Sequence, residues 1–123
     1  MNTLVFDIET VPDTEYGRSL LDLPPGLPDA DVARAMLSLR RAKTGDDFLP
    51  LPQHRVVAIA CALRHGDSFK VWSLGDPQSG ERELLERFFD GLERYTPDIV
   101  AWNGAGFDLP VMHYRCLRHG VQA

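Results

Sequence analysis

The sequence has few cysteines, no long apolar run and no surplus of positive charge, and each shortage narrows the class of protein. Its 123 residues include two cysteines, Cys61 and Cys116, which are far apart and lie in apolar segments. Their spacing suits no metal site, so the pattern favours buried free thiols in a reducing compartment over a disulfide. We therefore expect a cytoplasmic protein.

No segment is typical of a membrane span or of a secretory signal. The longest apolar run is far shorter than the ~20 residues of a transmembrane helix. The start, MNTLVFDIET, has no basic region followed by an apolar one. The net charge of −5 argues against a broad, sequence-independent grip on nucleic acid, although it allows a local contact that a bound cation assists.

The residues that are present predict one domain, or part of one, in which strands and helices are mixed. A helical and irregular insertion is expected at about 12–53, where PPGLP interrupts regular structure. Strands are expected at residues 3–9, 55–63, 68–74 and 98–102, and helices at residues 29–43, 80–95 and 107–119. This order predicts an α/β fold, a mixed sheet flanked by helices. The alanines on one side of the second strand predict that a helix packs there.

The first strand carries two acids, Asp7 and Glu9, within its apolar run. Alternate residues of a strand share a face, so both acids point the same way, about 6.6 Å apart, while Leu4, Phe6 and Ile8 face the core. Crowded carboxylates repel each other unless a cation lies between them, and oxygen-only ligands favour Mg²⁺ or Mn²⁺ over zinc. An edge strand with a solvated polar side is the alternative, but the apolar neighbouring strands favour a central position.

A second acidic motif, NGAGFDLP, follows the strand at 98–102 and contains Asp108. Asp108 could simply cap the last helix, with Pro110 in its first turn. The turn nevertheless lies at the C-terminal end of a strand, where mixed α/β sheets commonly build sites. If that strand is adjacent to the first one, Asp108 can join Asp7 and Glu9. Three carboxylates around two divalent ions are the machinery of phosphodiester hydrolysis.

Together, FDIET at 6–10 and NGAGFD at 103–108 resemble the DEDD superfamily of 3′–5′ exonucleases, which has the ribonuclease-H-like fold. They resemble in particular the predicted 3′–5′ exonucleases related to the proofreading domain of family B DNA polymerases. The segment LPLPQHRVVAIACAL at 49–63, after a long insertion, is also similar to that group. The resemblance covers essentially the whole chain. It implies a metal-dependent exonuclease that hydrolyses nucleic acid from the 3′ end, with single-stranded DNA as the expected partner.

The resemblance also implies roles for the three acids. Asp7 would bridge two metal ions, Mg²⁺ or Mn²⁺. Glu9 would hold the ion that activates water, and Asp108 would hold the second ion, partly through water.

Four further residues are implied as substrate contacts. The backbone around Ile8 and Thr10 would contact the terminal nucleotide, and Asn103 and Phe107 would shape the floor of the site. For Thr10 the alternative is a hydroxyl that ends a strand, and for Phe107 it is a position in the core.

One part of the family pattern is missing from the sequence. The third motif supplies a fourth acid and, four residues earlier, a Tyr or a His that positions water. Tyr114 is followed four places later by Arg118, and His113 and His119, interpreted as solvated helix residues, lack a matching acid. We therefore expect a domain truncated before this motif and inactive alone, since general-base help is worth about 10² to 10⁴ in rate. Apolar surface exposed in this way would favour a homodimer.

A basic cluster in the insertion has two interpretations. Arg34, Arg40, Arg41 and Lys43 come within a short stretch that contains no acid. They could follow the phosphates of a single strand that enters the site. They could equally form the solvated face of an amphipathic helix, which is the more common situation.

Two other functional classes stay open. A non-catalytic nucleic-acid-binding or scaffold domain could retain the fold, and the missing third motif supports it. FDIET also resembles the DxDxT motif of phosphatases that use an aspartyl nucleophile, with Glu in place of the second Asp. That class needs a later Lys and an acidic pair, and residues 98–123 provide neither.

Overall fold

The computed structural model describes residues 2–100 and 104–123. The elements within these residues are β1 (Asn2–Pro12), α1 (Thr14–Leu21), α2 (Asp29–Thr44), β2 (His54–His65), β3 (Ser68–Ser73), α3 (Glu81–Tyr95), β4 (Asp98–Val100) and α4 (Leu109–His119), with short helical turns at Leu51–Gln53 and Gly104–Asp108. The predicted α/β class with a mixed sheet and flanking helices is confirmed. The sequence pattern predicts no helix at α1, which begins because the Asp13 carboxylate accepts the Tyr16 N–H at 3.0 Å.

Contacts divide the chain into two units, and each has its own packing. One unit comprises Met1–Thr10 with Val56–Ala123, and the other comprises Val11–Arg55. The Val11–Arg55 unit contains α1 and α2 and has a small core of Val32, Met36 and Leu49. Four partly buried leucines, namely Leu21, Leu23, Leu27 and Leu37, surround that core.

The sheet has the strand order β3-β2-β1-β4, so β1 is an inner strand, as predicted. β1 and β4 run parallel, with Val5 opposite Val100. β2 and β3 are antiparallel and are joined by a tight turn in which Gly66 has a φ of +59°. Glycine adopts this left-handed conformation without the steric penalty of other residues. The adjacency of β1 and β4 brings the ends of the two acidic motifs to the same edge of the sheet.

One face of the inner strand is the core face. Leu4, Phe6 and Ile8 are all buried, which confirms the predicted alternation along β1. The Phe6 ring packs against the Phe88 ring of α3, with centroids 4.8 Å apart. Aromatic pairs in this tilted arrangement add to the free energy gained from burial. α3 therefore covers this face of the sheet.

Exposed residues of β4 and β2 contradict two expectations. β4 was predicted to be buried, but Ile99 and Val100 are 41% and 52% exposed, because β4 is the last strand of the sheet within the described residues. Ala58 and Ala60 of β2 are exposed as well, so neither α3 nor α4 of the same unit packs on them. Small side chains alone do not supply the helix that would cover them. We call the surface formed by Val5, Ala58, Ala60, Val71 and Val100 the open face.

Both cysteines are buried. Cys61 and Cys116 are buried free thiols, as predicted, and burial raises the pKa of each to about 11. In the described ranges, no helix combines the length and the apolar character that a bilayer crossing requires. The expected cytoplasmic location stays a prediction.

Candidate functional site

The two acids of the first motif lie on the exposed side of β1. Asp7 and Glu9 alternate with the buried Phe6 and Ile8, so both carboxylates belong to the face that is turned away from α3. This is the arrangement that the period of two along a strand predicts. Both residues are exposed.

The acid of the second motif, Asp108, approaches β1 from the turn Gly104–Asp108. Its residue is only 5% exposed, and its carboxylate accepts a hydrogen bond from the backbone N–H of Ile8. Asp108 is the N-cap residue of α4, with Pro110 in the first turn, but its side chain makes no capping hydrogen bond to that helix. The pairing of β1 with β4 is described as far as Val5, and the Asp108 carboxylate therefore meets β1 three residues further along. Backbone geometry thus aims this side chain at the first motif.

The negative charge of Asp7 affects the ionisation of Asp108. The pKa of Asp108 is raised above its ordinary value, first by burial and then by the negative charge of Asp7. The hydrogen bond from the Ile8 N–H acts in the opposite direction, since it stabilises the carboxylate. The charge of Asp7 therefore acts on Asp108, an acid from the other end of the chain, and the shared site that the sequence predicts stays a prediction.

Glu9 is not gathered into that region in the same way. Among residues 2–100 and 104–123, no group of three or more His, Cys, Asp or Glu side chains is arranged to hold a metal ion. The structure brings Asp7 and Asp108 together, whereas Glu9 lies on the same exposed face without completing a ligand cluster. All three offer oxygen, which suits a hard ion such as Mg²⁺ or Mn²⁺.

The structure describes three of the four predicted substrate contacts. The N–H of Ile8 is already bonded to Asp108, so this residue positions an acid in addition to any contact with a nucleotide. Thr10 and Phe107 are half-buried, and Thr10 does not end its strand, because β1 continues to Pro12. Asn103 lies outside the described residues. The role of each of these residues in binding stays a prediction.

Sequence reasoning missed a buried ion pair that fixes the helix after Asp108. Arg115 of α4 donates through Nε and Nη2 to Glu81, with the Nη2–Oε1 distance at 2.8 Å and both side chains 3% exposed. Glu81 Oε2 also accepts the Val56 N–H at 2.6 Å. His119, interpreted from the sequence as a solvated residue, instead lies 2.7 Å from Glu81 Oε1. We call these side chains the Glu81 cluster.

One signal in the sequence could have revealed this cluster. Arg115 falls on the same helical stripe as Val111 and Met112, which are fully buried. A charged residue inside an apolar stripe requires a partner, because a buried unpaired charge is very costly. The partner, Glu81, is remote in sequence and could not be identified from spacing alone.

Two of the four cations in the basic cluster of α2 have carboxylate partners within the Val11–Arg55 unit. Arg34 lies 3.3 Å from Asp31, and Arg41 lies 3.4 Å from Asp47. These pairs are exposed and contribute little stability. They favour the interpretation of α2 as a solvated helix over a continuous track for phosphates.

Comparisons with known proteins identify the family. Residues 46–123 match the model of a family described as predicted 3′–5′ exonucleases related to the exonuclease domain of PolB. The match includes Asp108, whereas Asp7 and Glu9 lie before its start. A segment of 38 residues, 31% of this chain, is 50% identical to DNA polymerase 1 of Sulfurisphaera ohwakuensis, of which it covers 4%. Since the family model covers more than half of the sequence, the chain belongs to the family of predicted 3′–5′ exonucleases related to the exonuclease domain of PolB.

Proposed function

We propose that this chain forms part of the active site of a metal-dependent 3′–5′ exonuclease in which Asp7, Glu9 and Asp108 hold the divalent ions. The observation that carries the proposal is the approach of the Asp108 carboxylate to β1, where it accepts the Ile8 N–H and its pKa is affected by Asp7. Two carboxylates this close are tolerated best with a cation between them. Membership of the exonuclease family supports the reaction class.

The three side chains divide into one fixed and two adjustable donors. Asp108 is buried and held by a backbone hydrogen bond, so its position is set before any ion arrives. Asp7 and Glu9 are exposed and can rotate toward an ion that Asp108 already contacts. Two Mg²⁺ or Mn²⁺ ions bound there would supply a nucleophilic water and neutralise charge on the leaving oxygen.

The remaining predicted residues act on the substrate rather than on the ions. In the proposal the backbone at Ile8 and Thr10 holds the 3′-terminal nucleotide, and Asn103 and Phe107 form the floor beneath it. A net charge of −5 repels a long polyanion, so the contact is short and confined to the strand end. Single-stranded DNA is the substrate named in the proposal.

Calorimetric titration with Mn²⁺ tests the proposed ligands. Replacing Asp7 or Asp108 by Asn removes a donor while preserving shape, and we expect each change to weaken binding by at least about tenfold, or 1.4 kcal/mol. The matched control is Asp98→Asn, which removes an exposed carboxylate from β4 of the same sheet. Equal affinity in all four proteins would refute the assignment of the ligands.

Degradation of 3′-labelled oligonucleotides tests the activity. We propose that residues 1–123 alone bind metal but turn over slowly, because they contain no third-motif acid. A protein extended by a Tyr-x-x-x-Asp helix should degrade single-stranded DNA, and Asp108→Asn should abolish that activity. Rapid hydrolysis by residues 1–123 would contradict the first statement. A strong preference for RNA or for duplex ends would contradict the substrate.

A non-catalytic domain of the same fold is the second candidate. It is favoured by one observation, namely that residues 2–100 and 104–123 hold no preformed group of three metal-binding side chains. Such a domain has no reason to bind Mn²⁺ at Asp7, so the calorimetric comparison separates the two candidates. An aspartyl-nucleophile phosphatase would instead form a covalent phosphoryl adduct on Asp7, which mass spectrometry would detect.

The open face is the surface through which a homodimer would form. Val71 and Val100 are 68% and 52% exposed, and Ala58 and Ala60 leave room for an approaching surface. Exposed apolar surface of this kind is typical of interaction sites. Sedimentation equilibrium of the wild type and of Val71→Lys tests this proposal. A strict monomer at high concentration would rule it out.

A further inference from the structure

The Val11–Arg55 unit contains an apolar groove that the proposed nuclease chemistry does not use. Side chains from α1, from α2 and from the segment before β2 line a groove of about 210 Å³, and these residues are Leu20, Leu21, Met36, Leu39, Arg40, Lys43, Leu49, Pro50 and Gln53. Leu20 and Leu39 are 55% and 53% exposed. Six of these nine residues precede the segment that matches the exonuclease family, which begins at residue 46.

The cations of α2 differ in a way that points to this groove. Arg34 and Arg41, which do not line it, have the carboxylate partners Asp31 and Asp47. Arg40 and Lys43 do line it, and in the described part of the chain neither has a carboxylate partner. Arg40 is instead held in place by its Nε, which donates to the backbone oxygen of Phe48 at 2.9 Å. The groove therefore combines exposed leucines with two cations that lack an acid.

The lining of the groove decides the kind of occupant. Its volume lies below the ~300 Å³ at which pockets hold drug-sized molecules, so it suits one or two apolar side chains. Nucleobases bind to proteins by stacking on aromatic rings, and the described lining contains leucine, methionine and proline but no aromatic ring. An acidic amphipathic peptide supplies apolar side chains for the leucines and carboxylates for the two cations, because amphipathic helices place apolar anchors and charges at helical spacing.

We propose that this groove binds a short acidic amphipathic segment of a partner protein. One or two large apolar side chains of the segment lie between Leu20 and Leu39. Carboxylates next to these anchors pair with Arg40 and Lys43. The groove thus recruits the domain to a partner protein, independently of metal binding by Asp7 and Asp108.

A displayed library of random 12-residue peptides tests the proposal. The library is selected on the immobilised wild-type chain, and the affinity of each enriched peptide is then measured by fluorescence anisotropy. We expect peptides with apolar anchors flanked by Asp or Glu, whose affinity falls as salt rises. Lys43→Glu and Leu39→Gln should each weaken binding by about tenfold or more.

Two matched variants serve as controls. Arg34→Glu makes the same kind of charge change on the same helix, at a residue outside the groove. Leu117→Gln removes a leucine that is 80% exposed on α4. Both should leave the affinity within about twofold of the wild type. Circular dichroism spectra confirm that each variant is folded before affinities are compared.

Three results would overturn the proposal. The first is that no peptide is enriched over a blank surface. The second is that the enriched peptides lack acids or bind Lys43→Glu and Leu39→Gln as well as the wild type. The third is that a single-stranded oligothymidylate displaces the peptides and loses its own affinity in Lys43→Glu, which would assign the groove to nucleic acid. None of these results depends on the exonuclease activity.

Discussion

Removing Arg115 should destabilise the protein far more than removing an exposed arginine that forms an equally short ion pair. In Arg115→Met the aliphatic part of the side chain is replaced at similar volume, but the guanidinium is lost from the Glu81 cluster. The Glu81 carboxylate then stays buried and keeps its contacts with the Val56 N–H and with His119 Nε2. A buried carboxylate without its cation is the most expensive outcome of breaking such a pair.

The expected magnitude follows from burial. Both side chains of the Arg115–Glu81 pair are 3% exposed, and breaking a buried pair from one side costs about 3–5 kcal/mol. Two donors remain for Glu81, so we expect a value at the lower end, about 3 kcal/mol. The control is Arg82→Met on α3, which breaks a 2.6 Å pair with Glu86 whose members are 63% and 47% exposed. That change should cost only about 0.3–0.5 kcal/mol.

Urea unfolding followed by circular dichroism measures both values. The slope against urea must agree among the variants, because a changed slope would signal a different unfolding reaction. In a double-mutant cycle with Glu81→Gln, the coupling free energy should reach about 2 kcal/mol, near the upper range for directly contacting residues. A cost for Arg115→Met below about 1 kcal/mol, or simple additivity in the cycle, would refute the reasoning.

Three further changes have definite expected outcomes. In metal-free protein, Asp108→Asn should raise the melting temperature at pH 7 by a few degrees. Because its pKa is raised, Asp108 contributes stability below about pH 4 and loses it as the pH rises through its folded-state pKa. The difference in melting temperature between Asp108→Asn and the wild type should therefore shrink toward pH 4 in a pH series of thermal melts. Gly91→Ala should stabilise α3 by about 0.5–1 kcal/mol in urea unfolding, because no atom lies within 4 Å of the added Cβ, whereas Gly17→Ala should destabilise the protein because its Cβ would collide with Met36. Since burial raises the pKa of Cys61 and Cys116 to about 11, both thiols should react with a chromogenic disulfide reagent at pH 8 far more slowly in the folded than in the urea-unfolded chain, and equal rates would contradict this.

Periodicity predicted the elements whose packing is decided locally. The alternation of Leu4, Phe6 and Ile8 along β1 and the apolar stripe of α3 were sufficient, because one face of each element is buried against the other. The exposure of β4 was not predicted, because an apolar segment has the same composition whether or not something covers it. The helix α1 was missed for a different reason, since its start is marked by the Asp13 carboxylate, which accepts the Tyr16 N–H within a segment that otherwise resembles a loop.

The positions of the candidate acids on the fold were predictable from two short motifs. Asp7 and Glu9 share a face because of strand geometry, and Asp108 follows a strand that is parallel and adjacent to β1. Two features were out of reach of the sequence. The hydrogen bond from Ile8 to Asp108 depends on where the turn Gly104–Asp108 ends in space, and the pairing of Glu81 with Arg115 joins two helices that have no common pattern.

These two unpredicted features have one physical consequence for Asp108. Burial and the negative charge of Asp7 raise the free energy of the ionised carboxylate, which favours exposure of Asp108 to water. The Ile8 hydrogen bond opposes that movement directly. The Glu81 cluster opposes it at a distance, because it anchors α4 two turns beyond Asp108 with a pair that cannot be broken cheaply. These contacts therefore hold the Asp108 carboxylate where its ionised form is unfavourable. A carboxylate in that environment would interact more favourably with a bound cation than one exposed to water.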